Sequence, residues 1–281
     1  PKELKAISSA AVKADHIDAK VLANLARLDF LPIAYAAPKE IRDLRMNVRH
    51  RDQLVRMRTQ VKNRIHAVLA SYNLASPVSD LYGIEGREYL EDIMRTKLRP
   101  AAKKVIQDQL LLIDQLSEQI EAIKTEIPLT PEQTQMVRLL KTVPGIGKVT
   151  ANTIMAEIGD INRFHSAKAL CNWAGLTPKI HSSDVIVRRG RISKQGSSLL
   201  RGAMTRAATV ASRSSKRWYV VHENLAPRCG KKAAKVAVAR RLLIVVYHML
   251  KRNEPYQEDY GRNLPGTGEP AAKHGSLKPR G

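Results

Sequence analysis

The sequence predicts a mostly α-helical protein, and three observations lead to this fold class. Apolar residues recur every three or four positions along most of the chain, which is the period of a helix with one buried face. An a/d heptad pattern runs through residues 103–127, and residues 197–211 and 231–250 are rich in Ala and Leu. The chain has 281 residues, of which 43% are hydrophobic and 4% aromatic. It is therefore long enough for about two domains, with a core built mainly from aliphatic side chains.

The first two helices are predicted from their apolar spacing. Within residues 1–35, the segment KADHIDAKVLANLARLD forms a short amphipathic helix with apolar residues Ile17, Val21, Leu22, Leu25 and Leu28. A loop at residues 32–38 leads into a longer helical segment that ends near Leu74. We expect one buried stripe and a cationic opposite face, because the apolar residues lie among many Arg and Lys. These apolar residues are Ile41, Leu44, Val48, Leu54, Val55, Val61, Ile65, Val68 and Leu69.

The heptad pattern concerns a third helical segment. Its apolar residues Ile106, Ile113, Leu116, Ile120, Ile123 and Ile127 are spaced 7, 3, 4, 3 and 4 positions apart. This spacing fits a coiled-coil arm, a long antiparallel helix pair or an ordinary bundle helix. Pro128 and Pro131 end the segment. The rest of the chain, up to residue 253, is predicted to be α-rich with a short irregular basic insert.

The charge of the chain indicates its class of partner. Lys and Arg total 48 against 26 Asp and Glu, a formal net charge of +22. A positive field of this size attracts polyanions, which favours a nucleic-acid partner over an ordinary metabolic enzyme or a purely structural scaffold. No apolar run approaches the roughly 20 residues that cross a bilayer, so no membrane partner is expected. Cys171 and Cys229 are isolated, which excludes a zinc ribbon and a disulfide framework and fits a reducing compartment.

Asp15 and Asp18 are candidate metal ligands. Two carboxylates three residues apart on a helix point the same way, about 5–6 Å apart at Cβ. That spacing lets both reach one hard cation such as Mg²⁺, which prefers oxygen ligands. The alternative is a solvated helix face, because an isolated DxxD is common.

A glycine-containing turn offers a second candidate site. The sequence VPGIGKVTA follows an apolar helix end, as in a helix-hairpin-helix. Gly145 and Gly147 permit positive φ and let backbone N–H groups, together with Lys148, approach a phosphate closely. The alternative is a plain turn between two helices.

A basic stretch offers a third candidate site. Residues 179–217 contain ten Lys or Arg against the single acid Asp184, so they can neutralise several phosphates. We expect phosphate contacts from Lys179, Arg188, Arg189, Arg191, Lys194 and Arg201. Serines within the stretch, at 182–183, 193 and 197–198, are candidate nucleophiles whose transition-state charge the cations would stabilise. A single Ser is otherwise more often a turn or cap residue.

Four ordered blocks resemble the insertion-sequence-110 family of transposases (the IS110, IS116 and IS902 type), a DEDD-type family related to the Piv-type DNA invertases. The blocks are KADHIDAKVLA, RTQVKNRIHAVL, LLKTVPGIGKVTANTIMAEIGDINRFHSAKALCNWAGLTP and GRISKQGSSLLR. The resemblance implies site-specific DNA recombination guided by a structured bridge RNA, with four acids binding Mg²⁺ and a serine forming a 5′-phosphoserine intermediate. It also implies composite active sites shared between subunits, in the prokaryotic cytoplasm at the nucleoid. The heptad seam of residues 103–127 in addition predicts a homodimer or homotetramer.

The resemblance also implies the domain organisation. Residues 1–35 are expected to be the C-terminal remnant of a RuvC-like α/β nuclease domain. Residues 36–128 are the helical, coiled-coil region, and residues 129–253 are the transposase domain with the helix-hairpin-helix and the serine site. Residues 254–281, rich in Gly, Pro and charge, are expected to be a disordered tail.

Carried onto this chain, the family motif assigns three residues and leaves a gap. Asp15 and Asp18 match the third and fourth acids, and Ser183 matches the serine, with Ser182 as the alternative. The family has Gly after the serine, whereas this chain has Asp184.

The first two acids of the family lie upstream of the K-x-D-x-x-D-A block, and Glu3, Glu40 and Asp43 sit in no matching motif. The chain also begins at Pro1 without an initiator Met. We therefore expect a trimmed or decayed transposase that does not cleave DNA alone. The alternative is a non-catalytic DNA- or RNA-binding remnant.

Overall fold

A computed structural model describes residues 14–28, 30, 35–183 and 186–258, with the backbone alone at residues 125–126, 180–183 and 186–189. In these residues the chain forms ten α-helices and one two-stranded sheet, which confirms the prediction of a mostly α fold. The chain divides into two compact units, residues 1–38 and 39–281. No helix among the described residues is long and apolar enough to span a membrane.

The first unit contains helix α1, Asp15–Arg27. Its apolar residues Ile17, Val21 and Leu25 are half-buried at intervals of four, and none of its residues is fully buried. The two acids Asp15 and Asp18 lie in its first turn, where the helix dipole favours negative charge.

The second unit begins with three helices that form one core. They are α2 (Lys39–Ser71), α3 (Ile84–Thr96) and α4 (Pro100–Glu126). Helix α2 has 33 residues and is therefore about 50 Å long. Helix α4 packs along it, and the hydrogen bond from Arg58 to Ser117 Oγ (2.9 Å) is one contact between them. Leu54, Val61 and Ile65 of α2 are buried against α3 and α4.

The heptad residues of α4 face this core within the same chain. Ile106, Ile113, Leu116 and Ile120 are all at most 4% exposed. Helix α4 therefore packs against other helices of its own chain, as a helix pair or a bundle helix would. Whether the helices also form a coiled coil stays a prediction.

In its described part, the rest of the unit contains nine further elements. They are α5 (Pro131–Lys141), α6 (Lys148–Ile158), a 3₁₀ turn (Ile161–Arg163), α7 (Ala167–Trp173), β1 (Pro178–Ser183), β2 (Ile186–Ile192), α8 (Ser198–Ser214), α9 (Lys216–Cys229) and α10 (Lys231–Arg252). The antiparallel β1–β2 pair occupies the segment predicted to be an irregular insert. That prediction is wrong because β-branched residues such as Ile186 and Ile192 favour extended backbone.

Helix α10 lies at the centre of the second core. It packs against α5, α7, α8 and α9, and Val238, Leu242, Val245 and Met249 on it are fully buried. Residues Leu44 and Val48 of α2 belong to this core as well. Helix α2 therefore contributes to both hydrophobic cores of the unit.

Residues 254–258 are held against the fold. The Tyr256 N–H donates to Thr142 Oγ1 (2.9 Å), and Trp218 Nε1 donates to the Tyr256 hydroxyl (3.1 Å). Ser215 Oγ donates to a Glu258 carboxylate oxygen (3.2 Å). These contacts differ from the disorder expected from residue 254 onward, because Tyr256 supplies an apolar ring and a polar end that both find partners. Residues 259–281 of the predicted tail lie outside the described residues.

Candidate nucleic-acid interface

The two predicted metal ligands lie one turn apart at the start of α1. Asp15 is exposed, whereas Asp18 is half-buried and its Oδ1 has no hydrogen-bond partner among the described residues. Carboxylate oxygens are hard donors, and two of them fit part of the oxygen shell that a Mg²⁺ ion takes. The described residues contain no group of three or more His, Cys, Asp or Glu side chains that could hold a metal. The pair therefore fits a divalent cation as a partial ligand set.

The predicted nucleophiles lie on strand β1. Ser183 pairs with Ile186 and Ser182 with Val187 in the antiparallel register, so both serines are at the end of the hairpin next to residues 184–185. Their side chains, and Asp184 as a whole, lie outside the described residues. The assignment of the nucleophile therefore stays a prediction.

The predicted cations of the hairpin fall into two groups. Lys179, Arg191 and Lys194 have exposed side chains that solvent and ligands can reach. Arg188 and Arg189 pair with residues of β1, and their side chains lie outside the described residues.

Arg201 has a structural role in addition to its predicted one. Its Nη1 donates to the carbonyl oxygens of Ala174 (3.2 Å), Gln195 (2.6 Å) and Gly196 (3.1 Å). Gly196 has φ +68°, and a Cβ there would lie 2.1 Å from the Trp173 carbonyl oxygen. The loop between β2 and α8 is thus fixed by a guanidinium and by a backbone contact that excludes side chains. A contact from the rest of the guanidinium to nucleic acid stays a prediction.

The serines at the start of α8 fit the alternative to a nucleophile, namely that a serine is a turn or cap residue. Ser197 is the N-cap residue of α8, and its side chain accepts a hydrogen bond from the Leu200 N–H (3.1 Å). Ser198 is exposed in the first turn. Ser197 is therefore a cap residue, as single serines often are.

The two glycines of the α5–α6 turn have different surroundings. Gly145 has φ +83°, and a Cβ there would lie 2.3 Å from the Ala207 carbonyl oxygen of α8. Gly147 has φ −91° and ψ 179°, with no atom within 4 Å of its Cβ position. Gly145 thus uses the positive φ that glycine permits, whereas Gly147 is the N-cap of α6 and takes extended backbone. Gly145 packs against the fold, whereas Gly147 and the exposed Lys148 are open to a ligand.

An ion pair that the sequence analysis missed joins α2 to α6. Arg49 donates from Nε and Nη2 to the two carboxylate oxygens of Glu157 at 2.8 and 3.0 Å. Arg45 Nε donates to the Ala156 carbonyl oxygen (3.0 Å). Burial acts to raise the pKa of Glu157, but hydrogen bonds from Arg49 and Ser197 and the nearby positive charges outweigh it and leave that pKa below its usual value. The buried carboxylate of α6 thus connects the first third of α2, through Arg49, with the start of α8, through Ser197.

A groove runs between α2 and α8 beside this ion pair. We call it the α2–α8 groove, and it has a volume of about 420 Å³. It is lined by Asp52, Val55, Arg56, Thr59, Gln60, Ser198, Leu199, Gly202 and Arg206. Arg56 and Arg206 were not among the predicted contacts. Arg206 belongs to the basic stretch of residues 179–217, whereas Arg56 has nothing in its spacing that distinguishes it from the other cations of α2.

Comparison with known proteins gives family matches in two parts of the chain. Residues 137–222 match the model described as the transposase IS116/IS110/IS902 family. Residues 1–74 match a transposase model of the DEDD type from IS110 elements.

Individual relatives extend the similarity across most of the chain. The transposase for insertion sequence element IS1111A of Coxiella burnetii is 27% identical over 252 residues, which cover 87% of this chain and 68% of the relative. The probable family 20 transposase of Pseudomonas aeruginosa is 24% identical over 262 residues, 87% of this chain and 74% of the relative. The pilin gene-inverting protein of Moraxella bovis is 33% identical over 152 residues, which span 45% of its length. These three relatives are thus named for moving or inverting DNA segments.

Proposed function

Because the chain belongs to the IS116/IS110/IS902 family of transposases, we propose that it is a DNA transposase or site-specific recombinase with a serine nucleophile. The observation that carries this proposal is the order of the two matches: an acid-bearing DEDD segment precedes the transposase segment in one chain, and one relative aligns over 252 residues. The net charge of +22 supports binding to a polyanion.

Ser183 is the proposed nucleophile, with Ser182 as the alternative. Its Oγ attacks a backbone phosphorus, and the new O–P bond replaces the bond from that phosphorus to the 3′ oxygen. The serine loses its proton, and the departing 3′ oxygen takes one up, which leaves a 5′-phosphoserine and a free 3′ hydroxyl. The exposed Lys179, Arg191 and Lys194 on the same hairpin would hold the phosphate and offset its developing charge.

Asp15 and Asp18 are the proposed ligands of a divalent cation, and Mg²⁺ is the proposed ion. Such an ion supplies Lewis-acid stabilisation of phosphoryl oxygens when bound. The Oδ1 of Asp18 supports this role, because it has no hydrogen-bond partner in the described part of the chain. The family pattern has four acids, so cleavage would need two more carboxylates than this pair provides.

A structured bridge RNA and a homodimer or homotetramer are the proposed partners. The surplus of positive charge supports an RNA partner. The oligomer rests on the composite active sites of the family, since the heptad residues are buried within the chain. Ribonuclease treatment during purification tests for bound RNA, because its removal would lower the ratio of absorbance at the nucleic-acid maximum to that at the protein maximum. Light scattering tests the oligomeric state.

The serine is tested by trapping protein–DNA adducts. The chain, alone and extended by the reading frame upstream of Pro1, is incubated with end-labelled element DNA and Mg²⁺, then denatured. We expect a covalent adduct from the extended chain and none from the chain alone, which supplies two of the four acids. The adduct should be lost in Ser183→Ala and retained in the control Ser71→Ala, because Ser71 is exposed at the C-terminal end of α2. An adduct that survives Ser183→Ala but not Ser182→Ala would move the assignment to the neighbouring serine. One that survives both would refute the proposal.

A non-catalytic nucleic-acid-binding remnant is the second candidate. Asp184 stands where the family has Gly, and it places a negative charge beside the residue that must meet phosphate. This candidate predicts salt-sensitive DNA binding with no adduct under any condition, even in the extended chain.

A further inference from the structure

A small pocket lies where four helices of the second unit meet. Helices α2 and α8, the C-terminal end of α4 and the first turns of α6 surround a cavity of about 30 Å³. A cavity of this size has room for a group about as large as a water molecule, so a single oxygen atom of a larger ligand would fit inside. The residues that concern us are Arg51, Lys124, Lys148, Asn152 and Arg206.

The pocket has a surplus of unpaired positive charge. Arg51 is half-buried and its Nε has no hydrogen-bond partner among the described residues. Lys148 and Arg206 are exposed, and none of the ion pairs within the described residues involves these three cations. The acid that lines the pocket, Asp52, is bound by Arg56 at 2.7 Å. Three cations thus face the space without a dedicated anion.

Crowding of these cations is costly in the absence of an anion. Burial lowers the pKa of Arg51, and the charges of Arg58 and Arg206 act in the same direction, against the favourable charges of Glu121 and Asp52. Lys124, the fourth cation at the pocket, is held by Glu121 at 2.9 Å. An anion at the pocket would relieve the repulsion that remains.

The floor of the pocket offers further polar groups. Asn152 is 3% exposed, and its Oδ1 has no partner in the described part of the chain. A half-turn of the amide, which leaves its shape unchanged, would place the Nδ2 donor there instead. Gly147, the N-cap of α6, provides no side-chain acceptor for the first-turn N–H groups. The positive end of the α6 dipole therefore adds to the cationic side chains.

We infer that this pocket binds a phosphate of the DNA backbone, which enters along the α2–α8 groove. One phosphate oxygen occupies the cavity between Arg51 and Asn152, while Lys148 and Arg206 contact the phosphate from the rim. The cavity and the α2–α8 groove share Asp52, Leu199 and Arg206 as lining residues, so the sugar-phosphate chain has a continuous path. The inference rests on the proposed function and adds to it a position where the backbone is fixed.

The test measures non-covalent binding to duplex DNA in the absence of Mg²⁺. The double variant Lys148→Ala/Arg206→Ala removes two exposed cations from the rim, and Arg64→Ala/Lys97→Ala removes the same charge from exposed positions elsewhere. We expect the rim variant to bind about 10-fold or more weakly and to lower the slope of log K against log salt by about 1 to 2, beyond any change in the control. Arg51→Met should give a loss in the same direction, and circular dichroism checks that each variant is folded.

Ethylation interference identifies the phosphate itself. In the wild-type protein, ethylating one backbone phosphate should block binding, and in the rim variant the same position should become neutral. Equal binding by rim variant and control, or an unchanged interference pattern, would overturn the inference. The inference would also be overturned if the rim variant lost affinity for an RNA duplex of the same sequence but not for the DNA duplex. A wild-type protein that binds no DNA would instead refute the proposed function.

Discussion

Removing the Arg49 guanidinium tests the link between α2 and α6. The substitution Arg49→Met keeps the aliphatic stem of the side chain and removes both hydrogen bonds to Glu157, at 2.8 and 3.0 Å. The Glu157 side chain is 2% exposed, whereas that of Arg49 is 58% exposed. The variant therefore leaves a buried carboxylate without its main cation.

The expected loss follows from this asymmetry. Breaking a fully buried ion pair costs about 3–5 kcal/mol, mostly because the remaining charge stays desolvated. Here the removed partner is more than half in water, and Ser197 and Arg45 still favour the ionised form of Glu157. We therefore expect Arg49→Met to lower the free energy of unfolding by about 2 kcal/mol. Glu157→Gln in the same background should recover about 1 kcal/mol, because no buried charge remains.

The pH dependence of the loss has a definite sign. In the folded wild-type protein the pKa of Glu157 lies below its usual value, so its contribution is present above the unfolded pKa and is lost as the pH falls through the folded one. Without Arg49, burial dominates and raises that pKa. The difference in stability between wild type and variant should be largest at neutral pH and shrink as the solution is acidified.

The assay is chemical denaturation followed by circular dichroism at several pH values. Wild type, both single variants and the double variant form a double-mutant cycle. A loss below about 0.5 kcal/mol, which is the size of an exposed ion pair, would refute the reasoning. A difference that stays constant down to pH 3 would refute it as well.

Two further predictions concern backbone geometry and thiol chemistry. Gly145→Ala should cost more than about 3 kcal/mol of stability, because positive φ is strained and the new Cβ would meet the Ala207 carbonyl oxygen at 2.3 Å, whereas Gly147→Ala should cost less than about 1 kcal/mol. Equal unfolding free energies for the two variants would contradict this. Burial raises the pKa of Cys171 to about 11, so a thiol reagent at pH 8 should count one reactive thiol, the exposed Cys229, in the native protein and two in denaturant. Two rapidly reacting thiols in the native protein would contradict this prediction, because they would show that Cys171 of α7 is accessible to the reagent.

The helical fold could be predicted because its cores are aliphatic and periodic. Leu44, Val48, Leu54, Val61 and Ile65 were predicted on one stripe of α2, and all of them are buried. The partner of each stripe could not be predicted, since spacing gives a face but not what covers it. For this reason the heptad pattern left three arrangements open. The β hairpin was missed because charged residues interrupt its β-branched residues, which obscures the alternation that marks a strand.

The candidate site was predictable only where chemistry was visible in one short segment. Asp15 with Asp18, and Gly147 with Lys148, are neighbours in sequence. Glu157 and Arg49 come from segments more than 100 residues apart, and no local pattern joins them. Arg201 was predicted as a phosphate contact, yet three backbone carbonyls occupy one of its nitrogens, which a count of charges cannot reveal.

The position of the pocket follows from the double role of helix α2. Its buried residues run through Leu44 and Val48 in one core and resume at Leu54 in the other. The helical period places residues 51 and 52 on the stripe between them, yet these positions are Arg51 and Asp52, both half-buried. A Leu at position 51 would continue the stripe without desolvating a charge, so folding alone does not explain the arginine. A charge kept where packing favours an apolar side chain is typical of a functional position, and the cations and the α6 N-terminus around it indicate that the function is to hold an anion.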